Sequence, residues 1–347
     1  MYLKKILLAV VFLGLLVVGG AAYFIYNALF SPNTSFEKEE VIVYIPTGST
    51  YSEVRGLITP YLKNTTSFEA VARRKKYVDY VKAGRYRISR GMNNNEIINS
   101  LRSKNLPVQV SFNNQESLAD LAGRISTQIE ADSLSLLAAF EDDAFLTEHG
   151  FDSNTYLVPY IPNTYEFFWN TSAQGFRDKI FKEYQKFWNE ERIKKANDIG
   201  LSPVEVISLA SIVQKETAKV EERQRVAGVY LNRLKRGMLL QADPTVIYAI
   251  KRESGNFDTI IKRVLYRDLE LDSPYNTYKS EGIPPGPIAM PDISAVEAVL
   301  NPEKHNYYYF VADVENFGYH IFAKNLAQHN RNKAQYVRWI NEQNVNR

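Results

Sequence analysis

A glutamate that continues an apolar stripe is the residue with the clearest chemical potential in the sequence. Glu216 follows Leu209 by seven residues and Ile212 by four, so at helical spacing it lies close to the same face. An ionised glutamate is rarely buried without a partner, and burial raises the pKa of a carboxyl. A carboxyl that stays protonated near neutral pH suits a general acid, and glycosidases use such groups. The alternative is a surface ion pair with Lys219 in a run of charged residues.

The helix that must position Glu216 has a well-marked beginning. Ser202 and Glu205 have the spacing of a capping box, and Pro203 occupies the first helical position. A helix is therefore predicted over 202–217, with Glu216 in its last turn. The backbone carbonyls there carry partial negative charge, which disfavours the carboxylate further.

The composition excludes several kinds of site. The 347 residues include no cysteine, which rules out thiol nucleophiles, disulfides, zinc fingers and cysteine-bound iron–sulfur clusters. The four histidines form no H-E-x-x-H pair, and we expect no metal and no cofactor. The net charge of +3 argues against a dedicated nucleic-acid binder. A hydrophobic content of 45% with 23% charged residues is typical of a folded protein.

The N-terminus has the pattern of a membrane anchor. Lys4 and Lys5 precede an uncharged apolar run over 6–30, which exceeds the roughly 20 residues that span a bilayer as a helix. Because the positive charges lie on its N-terminal side, residues 1–5 are predicted to be cytoplasmic and the body of the chain to be exported. A cleaved signal peptide is the alternative, although its apolar region usually has about 7–15 residues.

Beyond the anchor, the pattern of apolar and polar residues predicts three segments. Residues 31–40 are polar and predict a linker. Residues 41–112 mix short strands and helices, which predicts a small α+β module. Residues 113–347 predict a larger mixed α+β domain rich in helices, with one long helix over 176–199. The predicted fold class is therefore α+β with an N-terminal transmembrane helix.

The sequence around Glu216 resembles a known family. Residues 209–250, with the motif IVQKET at 212–217, are similar to the catalytic region of the endolytic murein transglycosylases, the MltG/YceG-like family. Residues 43–48 and 82–86 resemble the LysM-like module of that family. The resemblance therefore implies that 41–112 is LysM-like and that 113–347 is the YceG-like catalytic domain. Further similar stretches lie at 275–278, 282–291, 309–313 and 320–330.

The resemblance implies a lytic endotransglycosylase that cuts the β-1,4 bond between N-acetylmuramic acid and N-acetylglucosamine within glycan strands. Its product would carry a 1,6-anhydro-muramic end, and its activity would contribute to ending glycan elongation. Glu216 matches the catalytic glutamate of the family, which would act first as acid and then as base. Two alternatives stay open, a non-catalytic peptidoglycan-binding scaffold and a conventional muramidase with two carboxylates.

A conventional muramidase would need a second carboxylate, and three residues near Glu216 in the sequence are candidates. Asp243 precedes a proline, which predicts a helix N-cap rather than a catalytic group. Glu221 and Glu222 lie in a charge run, which predicts a solvated helix start.

The resemblance also implies sugar-binding residues. His320 could assist near the cleft, with a structural hydrogen bond as the alternative. The loop 157–165 departs from the family pattern, because a Glu-Gly pair is missing and Asn163 replaces an aspartate, so no function is transferred to it. The other matching positions, which could hydrogen-bond to sugars or stack on them, are Gln241, Thr245, Tyr275, Asn276 and Tyr278.

The same resemblance implies a location and partners. The protein would be a single-pass protein of the plasma (inner) membrane, with its body in the periplasm or cell-wall space. Its expected partners are peptidoglycan glycan strands, the lipid bilayer through residues 6–30 and peptidoglycan synthases at the membrane. No nucleic-acid partner is expected.

Overall fold

A computed structural model describes residues 2–342, and within that range the chain is a mixed α+β protein dominated by helices. The chain divides into two compact units. The first contains the residues up to Val110 together with Gln128–Ala131 and Glu166–Ser172. The second contains Ser111–Thr127, Asp132–Tyr165 and the residues from Ala173 onward. The α+β class is confirmed, whereas the LysM-like character and the boundaries predicted from the sequence stay predictions.

The first unit combines a long helix with a small α+β module. The two strands of the module pair antiparallel, with Val43 opposite Tyr86, and both of these residues belong to its apolar core. The elements of this part of the chain are α1 (Tyr2–Phe30), β1 (Glu40–Ile45), α2 (Tyr51–Ile58), α3 (Thr65–Arg74), β2 (Gly84–Ser89) and α4 (Asn94–Ser103). Strand β3 (Pro107–Phe112) follows them.

Helix α1 is long and apolar enough to cross a membrane, and its residues 2–27 are all exposed. The predicted helical run over 6–30 is therefore confirmed as a candidate span that begins earlier, at Tyr2. The last turn of α1 differs from the rest. Ala28 and Leu29 pack against the core of the module, and α1 contacts both α3 and α4.

The residues after α1 are built into the module, although 31–40 was predicted to be a linker. Asn33 and Thr34 are only 4% and 5% exposed. Asn33 donates to the Asn64 carbonyl at 2.9 Å and accepts from the Asn64 amide at 2.8 Å. Thr34 accepts from the Gly91 amide at 2.8 Å. Asn33 and Thr34 are therefore bonded within the module, whereas most of the residues over 35–40 are exposed.

The second unit contains the remaining helices and two strand pairs. Strands β3 and β4 pair with each other, and the boundary between the units falls within both. Its elements are α5 (Leu118–Ser126), α6 (Ser133–Phe140), α7 (Asp143–Glu148), β4 (Asn163–Phe168), α8 (Ala173–Phe187), α9 (Glu190–Ile199), α10 (Pro203–Glu216), α11 (Arg223–Lys235), α12 (Asp243–Ser254), α13 (Ile293–Leu300), β5 (Tyr309–Ala312), β6 (His320–Ala323) and α14 (Leu326–Glu342). Short 3-10 helices cover Thr59–Tyr61, Tyr77–Asp79, Val220–Glu222 and Asp268–Glu270.

The single helix predicted over 176–199 is wrong, because α8 and α9 are separate helices. Helix α8 ends at Phe187, and Asn189 begins the next helix as its N-cap. The Asn189 side chain accepts from the Arg192 amide at 3.0 Å. Asparagine caps a helix in this way more readily than it continues one, so the apolar period persists while the backbone breaks.

Helix α10 lies at the centre of the second unit. Its capping box between Ser202 and Glu205 is confirmed, with Pro203 at the first helical position. Residues Val206–Val213 are all buried, which makes α10 a core helix that packs against α13 and α11.

The Pro-rich segment over 282–291 is held against α10. The Ile288 amide donates to the Ser211 hydroxyl at 3.0 Å, deep inside the unit. Gly286 lies so close to Asn154 that a Cβ atom there would come within 1.8 Å of the Asn154 carbonyl oxygen. Only glycine permits that approach.

Candidate active site

Glu216 is the last residue of α10, with Thr217 as the C-cap. Its side chain is half-buried, and its Oε1 accepts a hydrogen bond of 2.7 Å from the hydroxyl of Tyr230 on α11. Tyr230 is buried, so the orientation of this carboxyl oxygen is fixed by the core.

Burial raises the pKa of Glu216 to about 7. The hydrogen bond from Tyr230 lowers the pKa, the nearby carboxylate of Asp243 raises it, and the positive groups of His320 and Arg233 lower it by smaller amounts. Burial prevails, and the carboxyl is substantially protonated at neutral pH. That is the state predicted from the apolar stripe.

Asp243 is the first residue of α12 and does not cap it. Ala242 is the N-cap residue, and no side chain completes the cap. The prediction of an N-cap aspartate is therefore wrong. The Asp243 Oδ1 instead accepts a hydrogen bond of 2.5 Å from the hydroxyl of Tyr278, which is half-buried. Asp243 is thus the carboxylate whose charge acts on Glu216.

Thr245 and Asn276 are buried and bond within the protein. The Thr245 hydroxyl donates to the Ala242 carbonyl at 2.7 Å and lies 2.8 Å from the hydroxyl of Thr277. The Asn276 amide donates to two backbone carbonyls, at Leu269 and Leu271. Neither side chain has a polar atom left facing solvent, so both hold the start of α12 and the 273–278 turn in place.

Tyr275 is also buried, contrary to the picture of an exposed stacking platform. Its hydroxyl accepts from Arg252 at 2.6 Å and donates to the Asn154 carbonyl at 3.3 Å. Burial raises the pKa of Tyr275 to about 12. Its ring packs against Tyr248 inside the unit.

Gln241 differs from these residues because its side chain is exposed. Its backbone adopts the left-handed conformation, with φ of 51°, and its amide donates to the Thr277 carbonyl at 3.0 Å. A non-glycine residue in this conformation is unusual, and such residues cluster at functional sites. Among the predicted sugar-binding residues, Gln241 is thus exposed and Tyr278 half-buried, and sugar binding by either stays a prediction.

His320 forms a buried pair with Glu222. Its Nδ1 lies 2.8 Å from Glu222 Oε2, and its backbone amide donates to Oε1 at 2.8 Å. Glu222 is only 5% exposed, so the predicted solvated helix start is wrong for this residue. Burial alone would raise the pKa of Glu222, but the two hydrogen bonds from His320 outweigh it and lower the pKa. Glu221 is exposed and accepts from the Tyr319 hydroxyl.

Two contributors to the site were missed from the sequence, Tyr230 and Arg233. Both lie on α11 and are buried. Arg233 donates to the Tyr308 carbonyl at 2.7 Å and to the Leu240 carbonyl at 2.7 Å. An arginine at helical spacing inside an otherwise apolar face was the available signal, because buried cations need partners. Among residues 2–342, no three histidine or acidic side chains converge in a way that could hold a metal ion.

A model of the YceG-like family matches residues 43–335, which includes every element of the site. The chain belongs to the YceG-like family. Relatives with curated names agree with this assignment. The endolytic murein transglycosylase of Bacillus subtilis (strain 168) is 31% identical over 94% of this chain and 93% of that protein.

Two further relatives and a solved structure extend the comparison. The endolytic murein transglycosylases of Streptococcus pneumoniae strains D39 and R6 are each 30% identical over 94% of this YceG-like chain, which spans 64% of their length. The crystal structure of a yceG-like protein from Listeria monocytogenes is 29% identical, with a TM-score of 0.56 over 85% of this chain and 99% of that one.

The site of this YceG-like chain is therefore assembled from the end of α10, the middle of α11, the start of α12 and the hairpin β5–β6. The carboxyl of Glu216, the hydroxyl of Tyr230 and the carboxylate of Asp243 form its acidic centre. Around that centre lie Tyr278, His320 and Arg233, while Thr245, Tyr275 and Asn276 form a buried support.

Proposed function

We propose that this protein is a membrane-anchored endolytic lytic transglycosylase that acts on murein. It cuts the β-1,4 bond between N-acetylmuramic acid and N-acetylglucosamine within glycan strands and leaves 1,6-anhydro-muramic ends. The observation that carries the proposal is the carboxyl of Glu216, which burial keeps protonated near neutral pH, in a chain of the YceG-like family. Relatives named endolytic murein transglycosylases support it.

In the proposed reaction, Glu216 serves first as acid and then as base. Its proton passes to the glycosidic oxygen as the bond from that oxygen to C1 of the muramic residue breaks. The C6 hydroxyl of the same residue then attacks C1, and its proton returns to Glu216. The new bond between O6 and C1 closes the anhydro ring, and no water is consumed.

One carboxyl suffices for this sequence because the nucleophile belongs to the substrate. A glycoside hydrolase needs a second carboxylate to attack C1 or to activate water. Asp243 is the second carboxylate at the site, and its negative charge favours the protonated form of Glu216. The same charge stabilises the positive charge that develops at the sugar ring in the transition state. This electrostatic role requires no proton transfer by Asp243.

The rest of the chain is consistent with an enzyme that acts next to a membrane. Helix α1 anchors the protein with residues 1–5 in the cytoplasm and the body outside, in the periplasm or cell-wall space. Residues 41–112 form a LysM-like module and residues 113–347 the catalytic domain. Cleavage next to the membrane, near the peptidoglycan synthases, would end the elongation of nascent strands. The apolar length of α1 supports the anchor.

The decisive experiment uses the full-length protein in detergent with uncrosslinked glycan strands. Mass spectrometry of the fragments distinguishes anhydro ends from reducing ends, because anhydro ends are lighter by one water. We expect anhydro ends from the natural enzyme. We expect Glu216→Gln to lower the rate by at least about 1000-fold, because it removes the only proton donor in the proposed sequence.

Glu205→Gln is the matched control for that variant. It makes the same change at the other end of α10, and glutamine also completes a capping box, so full activity is expected. Fragments with only reducing ends would contradict the proposed transglycosylase reaction and indicate hydrolysis. Full activity of Glu216→Gln would remove Glu216 from the mechanism, and strand binding without cleavage by the natural protein would indicate a scaffold.

A further inference from the structure

A cavity of about 400 Å³ opens beside α12 in the second unit, next to the site of Glu216. Much of its wall is apolar and includes Ile247, Phe257 and Ile260. Two lysines, Lys215 and Lys251, also line it. The proposed reaction uses none of these residues.

The wall of the cavity shares helices α10 and α12 with the acidic centre. Two of its lining residues, Lys215 and Pro244, are the sequence neighbours of Glu216 and Asp243. Along α12, residues 243, 247 and 251 recur every four positions and therefore share one face. At a rise of about 1.5 Å per residue, the distance along the helix from Asp243 to Lys251 is about 12 Å.

The two lysines on the cavity wall share one carboxylate partner, Glu116. Glu116 accepts a hydrogen bond from Lys215 through one carboxylate oxygen and from Lys251, at 2.7 Å, through the other. One negative charge thus serves two positive charges, and each ammonium has three donors. The Lys251 side chain is only 12% exposed, so its charge is held largely away from water. Asp258, also on the wall, is exposed and solvated.

We propose that this cavity is a subsite for the peptide stem of the substrate, which it recognises through a stem carboxylate. The proposal rests on the proposed function. The ammonium groups of Lys251 and Lys215 bind the carboxylate, and the apolar wall packs against the aliphatic part of the stem. A stem of three to five residues spans roughly 10–18 Å when extended, at about 3.3–3.6 Å per residue. That reach matches the distance from the acidic centre to Lys251.

The test compares glycan strands that carry stems with strands stripped of them by an amidase. We expect the natural enzyme to have a higher kcat/KM on stem-bearing strands, mainly through a lower KM. In Lys251→Gln, the ratio of the two kcat/KM values is expected to fall about tenfold to a hundredfold, the usual range for a lost hydrogen bond to a charged group. Lys251→Arg should keep most of the natural ratio of the two kcat/KM values, because arginine carries the same positive charge.

Four further measurements make the outcome specific. Lys194→Gln, an exposed lysine on α9, is the control and should leave the ratio unchanged. Strands whose stem carboxylates have been amidated should show no higher kcat/KM than stripped strands with the natural enzyme. With Lys251→Gln, amidation should cause no further decrease in kcat/KM. In a Glu216→Gln background, the dissociation constants for the two kinds of strand should differ in the same way. Ile247→Trp, which fills the cavity without altering charge, should abolish the preference if Lys251→Gln fails to fold.

The results also separate this proposal from the proposed function. Equal kcat/KM on both kinds of strand for the natural enzyme would overturn the stem subsite and leave the transglycosylase intact. An equal loss on both kinds of strand in Lys251→Gln would show that Lys251 only supports the fold. If the natural enzyme cut neither strand, the proposed function itself would fail.

Discussion

At the scale of single residues, the titration of Glu216 governs the expected activity. The group must be protonated to act as acid, and its pKa is raised to about 7. Activity should therefore fall as the pH rises through about 7. Two neighbours act on this pKa in opposite directions, because the Tyr230 hydrogen bond stabilises the carboxylate and the Asp243 charge destabilises it.

We expect Tyr230→Phe and Asp243→Asn to move the alkaline limb of the pH profile in opposite directions. Loss of the Tyr230 hydroxyl removes a contact that lowers the pKa of Glu216, so the limb should move to higher pH. Loss of the Asp243 charge should move it to lower pH, while the new amide oxygen can still accept from Tyr278. The measurement is kcat/KM on glycan strands between about pH 5 and 9.

Tyr165→Phe is the control for the first of these variants. It removes a hydroxyl that bonds to the Ile161 carbonyl and not to a carboxyl, so the limb should not move. Shifts of the same sign in Tyr230→Phe and Asp243→Asn would contradict this account of the Glu216 environment.

Some of these residues could be predicted from the sequence, and others could not. The position of Glu216 followed from a capping box and an apolar period, both of which are local. Its catalytic role stays a prediction. Tyr230 was missed, and the environment of Glu222 was wrongly predicted, because both depend on tertiary contacts. Nothing in a charge run shows that one of its members, Glu222, turns inward to meet a histidine almost one hundred residues later.

At the scale of elements, helix α11 holds the hairpin β5–β6 at both of its ends. Glu222 immediately precedes α11 and binds His320, the first residue of β6. Arg233, near the end of α11, donates to the carbonyl of Tyr308, which precedes β5. In the hairpin, Phe310 lies opposite Phe322. Its attachment to α11 could not be predicted from the sequence, because the contacting residues are far apart in the chain.

We expect Glu222→Gln to loosen the hairpin and to destabilise the protein by about 1–3 kcal/mol, because it weakens the hydrogen bonds of a buried carboxylate. Hydrogen exchange should increase within Tyr309–Ala312 and His320–Ala323. Glu221→Gln, at an exposed neighbour, should leave the stability almost unchanged. Unchanged exchange in the hairpin of Glu222→Gln would show that the pair does not hold it.

The pH dependence of this attachment has a definite sign. The pKa of Glu222 is lowered in the folded protein, mainly because the bonds from His320 outweigh burial. The stabilisation is therefore present above the ordinary glutamate pKa, and it is lost as the pH falls through the lower folded value. Acid should release the hairpin of the natural protein, and Glu222→Gln should remove much of that acid sensitivity.

Element boundaries were predictable where side chains mark them. The start of α10 is marked by Ser202 and Pro203 and is confirmed. The break between α8 and α9 was missed because Asn189 sits inside a continuous apolar period. Helix α13 was missed because Ile293–Leu300 is apolar on nearly every side, and such a short run has no helical period.

At the scale of the whole molecule, the junction between anchor and module is ordered by tertiary hydrogen bonds. Asn33 donates to the Asn94 side chain at 2.6 Å, and Asn94 donates to the Ala28 carbonyl in the last turn of α1 at 2.8 Å. These bonds join the end of the membrane helix to the starts of α3 and α4. The polar composition of residues 31–40 predicted a linker and gave no sign of these bonds.

We expect Asn33→Ala to free the module from the anchor, because it removes bonds to both Asn64 and Asn94. The chain has no cysteine, so spin labels at Ala22→Cys and Lys38→Cys report the junction without background. In full-length protein in nanodiscs, the distance distribution between the labels should be narrow, and Asn33→Ala should broaden it severalfold. The unfolding free energy of the module should fall by about 1–3 kcal/mol, the cost of buried groups left without partners.

Ser35→Ala is the control, because it removes only an exposed hydrogen bond to the Pro60 carbonyl, and it should leave the distance distribution narrow. A broad distribution in the natural protein would mean that the anchor is a flexible tether after all.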